Sequence, residues 1–201
     1  MRVSRNLVAL FTLVLMSGFA NANLIENGSF EDNAVNDGQW NWYASSDVNN
    51  WSGSNLEIWD SLQGVHAYEG ENHVELNAHP YTGNAFTIFQ DFTTISGESY
   101  NLSFAYRARS NSNEAFRVAV DTGSTTVLST LVDDHTTSGW SVFSAMFTAT
   151  DTAAQVRFTS VSPATGTAGN FIDDVSVVSA PGALILFLLG GSLVVARRFS
   201  K

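Results

Sequence analysis

The chain has 201 residues, a formal net charge of −10, and no cysteine. The absence of cysteine excludes a disulfide framework and all thiol chemistry. The acidic balance argues against a phosphate-backbone partner, so nucleic acid is not an expected ligand. The charge is also unevenly spread. All 19 carboxylates fall between Glu26 and Asp174, whereas Arg2, Arg5, Arg197, Arg198 and Lys201 sit at the ends. The interior segment thus sets 19 carboxylates against four arginines (Arg107, Arg109, Arg117 and Arg157), a formal charge of −15 with no lysine.

The first 22 residues read as a secretory signal peptide. Arg2 and Arg5 are followed by an apolar run from Leu7 to Leu15 and by small residues at Ala20 and Ala22. A basic start, a short apolar stretch and a small-residue cleavage site are its three parts. Export and an N-terminal signal helix are expected, with cleavage after Ala22.

Residues 23–178 form one domain-sized segment. Apolar residues alternate with period two, and Gly, Asn, Asp and Ser clusters separate the runs. Leu56 and Ile58, then Val74 and Leu76, are short alternating pieces. Longer ones cover 85–93, Tyr100 to Tyr106, Phe116 to Val120, Phe143 to Phe147, Val156 to Phe158, and Phe171 to Val177. Nine or ten strands without interleaved helices predict an all-β fold, an antiparallel β-sandwich.

Aromatic residues gather in the irregular segments. Trp40, Trp42 and Tyr43 lie in an Asn/Asp/Gly/Gln-rich stretch, which predicts an exposed loop. Aromatic rings stack on the apolar C–H faces of sugars while nearby polar groups take the hydroxyls, so these three are the candidate carbohydrate contacts. Trp51 and Trp59 read as packing residues. Arg107 and Arg109 share a strand face, either as ligand contacts or as partners of Asp or Glu. His73 and Glu75 also share a face, without the second spaced histidine a zinc site needs.

Asp173 has the parity of Phe171, Val175 and Val177, so it is assigned to the buried face. A buried carboxylate must be paired, hydrogen-bonded or metal-bound. First and last strands of a sandwich often lie side by side, which would bring Glu31 near Asp173 to hold a cation. No pair of carboxylates is spaced to flank a glycosidic bond, and no nucleophile elbow is present. The expectation is a non-catalytic protein, with a glycan-active enzyme the weaker alternative.

The C-terminus, residues 179–201, is an apolar run from Ala183 to Ala196 followed by Arg197, Arg198 and Lys201. It is shorter than the roughly 20 residues of a typical spanning helix, and its basic end fits a cytoplasmic tail. A C-terminal hydrophobic helix is expected. With Ser179, Ala180, Pro181 and Gly182 ahead of it, the segment resembles a Ser-Ala-Pro variant of the PEP-CTERM bacterial sorting signals. The resemblance implies transient membrane anchoring, handling by an exosortase-like enzyme, and a final place at the cell surface or in the extracellular matrix.

A second resemblance covers the domain. Asn27-Gly28-Ser29-Phe30-Glu31 and Phe171-Ile172-Asp173-Asp174-Val175-Ser176-Val177 are similar to the two ends of galactose-binding-like jelly rolls, including carbohydrate-binding modules of families 4, 9 and 22. Gly97 to Phe104 and Trp140 to Phe147 resemble two of their middle strands. The resemblance implies polysaccharide binding and a structural Ca²⁺ held by Glu31 and Asp173, with backbone carbonyls from residues 23–26 and 70–72. The rival is a structural or adhesive matrix protein with no sugar site.

Overall fold

The computed structural model describes residues 22–81 and 83–180. Ala20, Pro181, Gly182, Arg197 and Arg198, with the two flanking helices expected around them, lie outside the described residues. Ala22 begins the described chain, exposed. Among the described residues, no helix is long and apolar enough to cross a membrane.

Eleven strands are present among the described residues: β1 Gln39–Tyr43, β2 Ser52–Gly53, β3 Leu56–Asp60, β4 Asn72–Glu75, β5 Thr87–Thr93, β6 Ser99–Arg107, β7 Ala115–Thr122, β8 Thr125–Val132, β9 Ser141–Thr148, β10 Ala153–Ser162 and β11 Phe171–Ser179. They form two sheets, one ordered β1-β3-β4-β11-β6-β9 and the other β2-β5-β10-β7-β8. Every pairing between these strands is antiparallel. The all-β sandwich read from the alternation is therefore the observed fold.

Between the sheets lie Leu56, Ile58, Leu102, Phe104 and Ile172 from one side and Ile88, Phe116, Val118, Val156 and Phe158 from the other. Alternation forces this set inward, because successive side chains of a strand point to opposite faces. Phe104 is its hub, with ring centroids of Phe143 at 4.8 Å and Phe158 at 5.0 Å. Trp51, read as a packing residue, is buried here. It stacks on Phe30 at 5.2 Å, and its Nε1 donates to the Asn27 carbonyl at 3.0 Å.

The N-terminal segment runs beside β11. Leu24 N donates to Val177 O at 2.8 Å and Val175 N to Gly28 O at 3.0 Å. Gly28 is required by this approach, since a Cβ there would stand 2.1 Å from the Val175 oxygen. Gly28→Ala is therefore expected to lower stability by roughly 1–3 kcal/mol, measured as a urea midpoint shift. The C-terminal end of the sheet reaches Ala180, whose N–H donates to Ser99 O at 2.8 Å. Ser179 and Ala180, the first two residues of the expected sorting segment, are thus joined to the sheet.

β11 corrects one element of the parity reading. Its pairing with β6 shifts register between Asp173 and Ser176, and Asp174 has φ 47°. The extra residue is a β-bulge, which reverses which face the following side chains take. Val175 and Val177 enter the sandwich interior, but Phe171 and Asp173 face the outer side of the six-stranded sheet. They are buried there because loops cover them.

Candidate functional site

The outer face of the six-stranded sheet carries the chemistry. Trp40 pairs with Trp59 and Trp42 with Glu57 across β1 and β3. Glu57 in turn pairs with Glu75, and Trp59 with His73, across β3 and β4. Paired residues share a face, so Trp40, Trp42, Glu57, Trp59, His73 and Glu75 all point outward from the sandwich interior.

Trp40 and Trp42 are 39% and 45% exposed. They sit on an edge strand rather than in the loop expected for them, because β1 adds to β3 as a five-residue ribbon of alternating amides and rings. Tyr43 does not join them. Alternation turns it to the other face, where it packs against the core and its hydroxyl donates to Ala34 O at 3.1 Å. Trp40 leans on His79, with centroids 5.2 Å apart and planes at 35°. The His79 ring is fixed by Glu57, with Nδ1 2.9 Å from Oε2. The other oxygen of Glu57 accepts Trp59 Nε1 at 2.8 Å. Sequence reasoning missed His79 and Glu57. The available signal was Leu56-Glu57-Ile58-Trp59, a strand whose two faces both carry bulky residues.

Beneath the tryptophans lies a buried polar network. Arg109 Nη1 is 2.7 Å from both Glu75 oxygens, and its guanidinium carbon lies 4.7 Å from the Trp59 ring centroid. Gly169 N also donates to Glu75, at 2.6 Å. Of the two readings offered for Arg109, the carboxylate partner is the one observed. Trp59 packs on this outer face, against Phe171 at 5.0 Å, rather than between the sheets. Glu75 lies beside Glu57 across the strand pair. Burial, with Glu57 alongside, pushes Glu75 up to about 9 despite Arg109. Near neutral pH a proton on Glu75 therefore balances the cluster.

Glu31 and Asp173 reach one loop. Glu31 Oε1 accepts the N–H groups of Glu71 and Asn72 at 2.9 and 2.8 Å. Asp173 Oδ2 accepts those of Tyr68 and Glu69 at 2.7 and 3.0 Å, and its Oδ1 that of Asp174 at 2.7 Å. Burial raises Asp173 to about 7 against the pull of these amides. Gly70 has φ 69°, and a Cβ there would fall 2.3 Å from Glu31 Oε1, so only glycine lets the loop wrap the carboxylate.

Calcium requires oxygen ligands. Residues 71 and 72 turn N–H groups toward Glu31, and Tyr68 and Glu69 turn theirs toward Asp173, so backbone amides hold both carboxylates. Among the described residues, no group of three or more His, Cys, Asp and Glu is placed to hold a metal. Adding Ca²⁺ after chelation tests the ion expected at Glu31 and Asp173, and an unchanged melting temperature would remove it. A rise in differential scanning fluorimetry would assign the ion to these carboxylates.

Comparison with known families fixes the relationship. The model of DUF642, described as a protein of unknown function, matches residues 23–178. The chain belongs to the DUF642 family. This DUF642 chain is also 25% identical over 187 residues to Halomucin of Haloquadratum walsbyi, covering 86% of the chain but 2% of that relative's length. Among solved structures it is similar to TmCBM61, a carbohydrate-binding module in complex with β-1,4-galactotriose. The identity is 17%, the TM-score 0.51, and the coverage 79% of this chain and 99% of that one. It is likewise similar to part of an arabinose-bound GH51 α-L-arabinofuranosidase, at 16% identity and TM-score 0.51, covering 79% of this chain and 26% of that enzyme. At these identities the structural likeness establishes the fold alone.

A groove of about 710 Å³ also crosses the outer face of the opposite sheet among Asp91, Asp121 and Gln155. Its polar groups satisfy one another, Gln155 Nε2 donating to Asp91 at 2.8 Å and Arg157 pairing with Asp121. It presents no exposed aromatic platform. The DUF642 tryptophan face is therefore the stronger candidate.

Proposed function

We propose that this DUF642 domain is an exported, non-catalytic module that binds polysaccharide through Trp40 and Trp42. The supporting observation is the pair of half-exposed indoles two residues apart on one strand face. Two residues of a strand span about 6.6 Å, so both rings face one extended chain. The likeness to a galactotriose-binding module supports the same reading.

Catalysis is disfavoured by geometry. Glu57 and Glu75 are cross-strand neighbours, 1% and 0% exposed, and are committed to Trp59, His79, Gly169 and Arg109. A glycosidase needs its two carboxyl groups free, on either side of the scissile bond. The N-terminal signal and the Ser179-Ala180-Pro181-Gly182 segment with its basic tail support export, transient anchoring and handling by an exosortase-like enzyme. Intact-mass measurement of the native protein tests the processing, since removal of the tail shortens the chain after the motif.

A glycan array probed with residues 23–180 tests the binding. Capture of one or more polysaccharides supports the module. Silence across neutral and acidic glycans alike favours a structural matrix protein, and release of shortened products would make it an enzyme.

A further inference from the structure

Arg107 ends β6 on the same outer face, paired with Phe171 of β11. Its Nη2 donates to the Thr137 carbonyl, and its buried Nε has no hydrogen-bond partner. Among the described residues, the ion pairs are His79–Glu57, Arg109–Glu75 and Arg157–Asp121. Arg107 has no carboxylate within ion-pair distance, although the domain has 19 carboxylates for four arginines. Arg117 also lacks an ion pair, but it is exposed and solvated. Arg107 is partly buried, and the loss of hydration lowers its pKa.

A chain of rings continues along this face. His73, on the same outer face, is fully buried with both ring nitrogens unpartnered. Burial and the Arg107 charge lower its pKa to about 3, so it is neutral. Trp140 meets His73 edge-on at 5.4 Å, and Tyr68, 48% exposed, meets Trp140 at 6.4 Å. Both rings are anchored through other atoms. Trp140 Nε1 donates to His66 O at 2.9 Å, and the Tyr68 backbone is held by Asp173. The buried carboxylate thus positions the segment that presents Tyr68.

A guanidinium that has lost hydration is stabilised most by a carboxylate, which accepts its planar N–H groups in pairs. A uronic acid offers that carboxylate together with an apolar ring face for stacking. We propose that Arg107, with the Tyr68–Trp140 ring pair joined to the same face through His73, binds the carboxylate of a uronic-acid residue in an acidic polysaccharide. This rests on the polysaccharide reading above and adds the charge of the ligand. The acidic domain repels a polyanion at long range, but that repulsion is screened beyond about 8 Å at physiological salt, whereas a partly desolvated contact is screened less.

Isothermal titration of the full-length chain tests the assignment with trigalacturonate, trimannuronate, and the same trisaccharides after reduction of their carboxyl groups. At least one oligouronate is expected to bind, with its reduced form weaker by about 10- to 100-fold. Arg107→Gln should remove that difference, and Arg107→Lys should keep part of it. Equal affinity for acid and reduced forms overturns the proposal, as does continued discrimination by Arg107→Gln. If a variant fails to fold, the comparison of acid with reduced sugar on the unaltered chain still decides. Binding only to neutral glycans, lost in Trp42→Ala, would overturn this proposal and leave the polysaccharide reading standing. Binding to no glycan would remove both.

Discussion

Arg109→Ala is expected to destabilise the domain by about 3–5 kcal/mol, read from urea unfolding at pH 7. The arginine is the cation of a buried cluster that holds Glu57 and Glu75 side by side, and it also covers the Trp59 ring. Its removal leaves buried carboxyl groups with one proton where they had a proton and a guanidinium. Glu75→Gln keeps an oxygen to accept from Arg109 and Gly169, so it should cost less at pH 7.

The same cluster gives an unusual pH dependence. Glu75 is raised from 4.5 to about 9, so its stabilising contribution is complete below pH 4.5 and is lost as pH rises toward 9. Asp173 is raised from 3.8 to about 7 and acts in the same direction between those values. His73 is lowered from 6.5 to about 3, so its contribution is present above 6.5 and lost as pH falls toward 3. Asp173 and His73 oppose each other between pH 3.8 and 6.5, which leaves Glu75 dominant. Stability should fall from pH 5 to pH 9 by about 1 kcal/mol per unit. Glu75→Gln should flatten that slope. A natural chain whose stability is constant or rises over this range would refute the protonated-Glu75 account.

Trp42→Ala should weaken glycan binding by about 30-fold or more, the effect of removing an aromatic contact of about 2 kcal/mol. Its ring is half-exposed on an edge strand, so thermal stability should change little. Trp40→Ala should weaken binding similarly and also free the His79 ring that leans on it. Tyr43→Phe should leave binding intact, because Tyr43 faces the other way. Unchanged affinity in the Trp40→Ala, Trp42→Ala double variant would remove this face as the binding surface.

How far the site was legible follows from the range of each interaction. Trp40 and Trp42 were recognisable because aromatic rings among Asn, Asp, Gly and Gln have no local partner to bury them. Their separation from Tyr43 was not, since it depends on β1 adopting strand geometry by pairing with β3. β1 and the Thr-rich β8 are edge strands with exposed residues, so neither carries a clear apolar alternation. Arg109 and Glu75 were each noticed but not joined, because 34 residues separate them and only the order β4-β11-β6 brings them together.

The sequence alone determined the all-β class, the acidic domain between two differently charged ends, and most of the residues that fill the sandwich interior. These follow from composition and from a two-residue period, both local properties of the chain. Tertiary structure decided the face of Asp173. A single extra residue at Asp174 reverses the alternation, so parity counted along the strand fails beyond it. It also decided that Glu31 and Asp173 meet backbone N–H groups, and that Arg107 meets the Thr137 carbonyl rather than a carboxylate. Charge partners are chosen by three-dimensional proximity, and that proximity is set by strand order rather than by spacing along the chain.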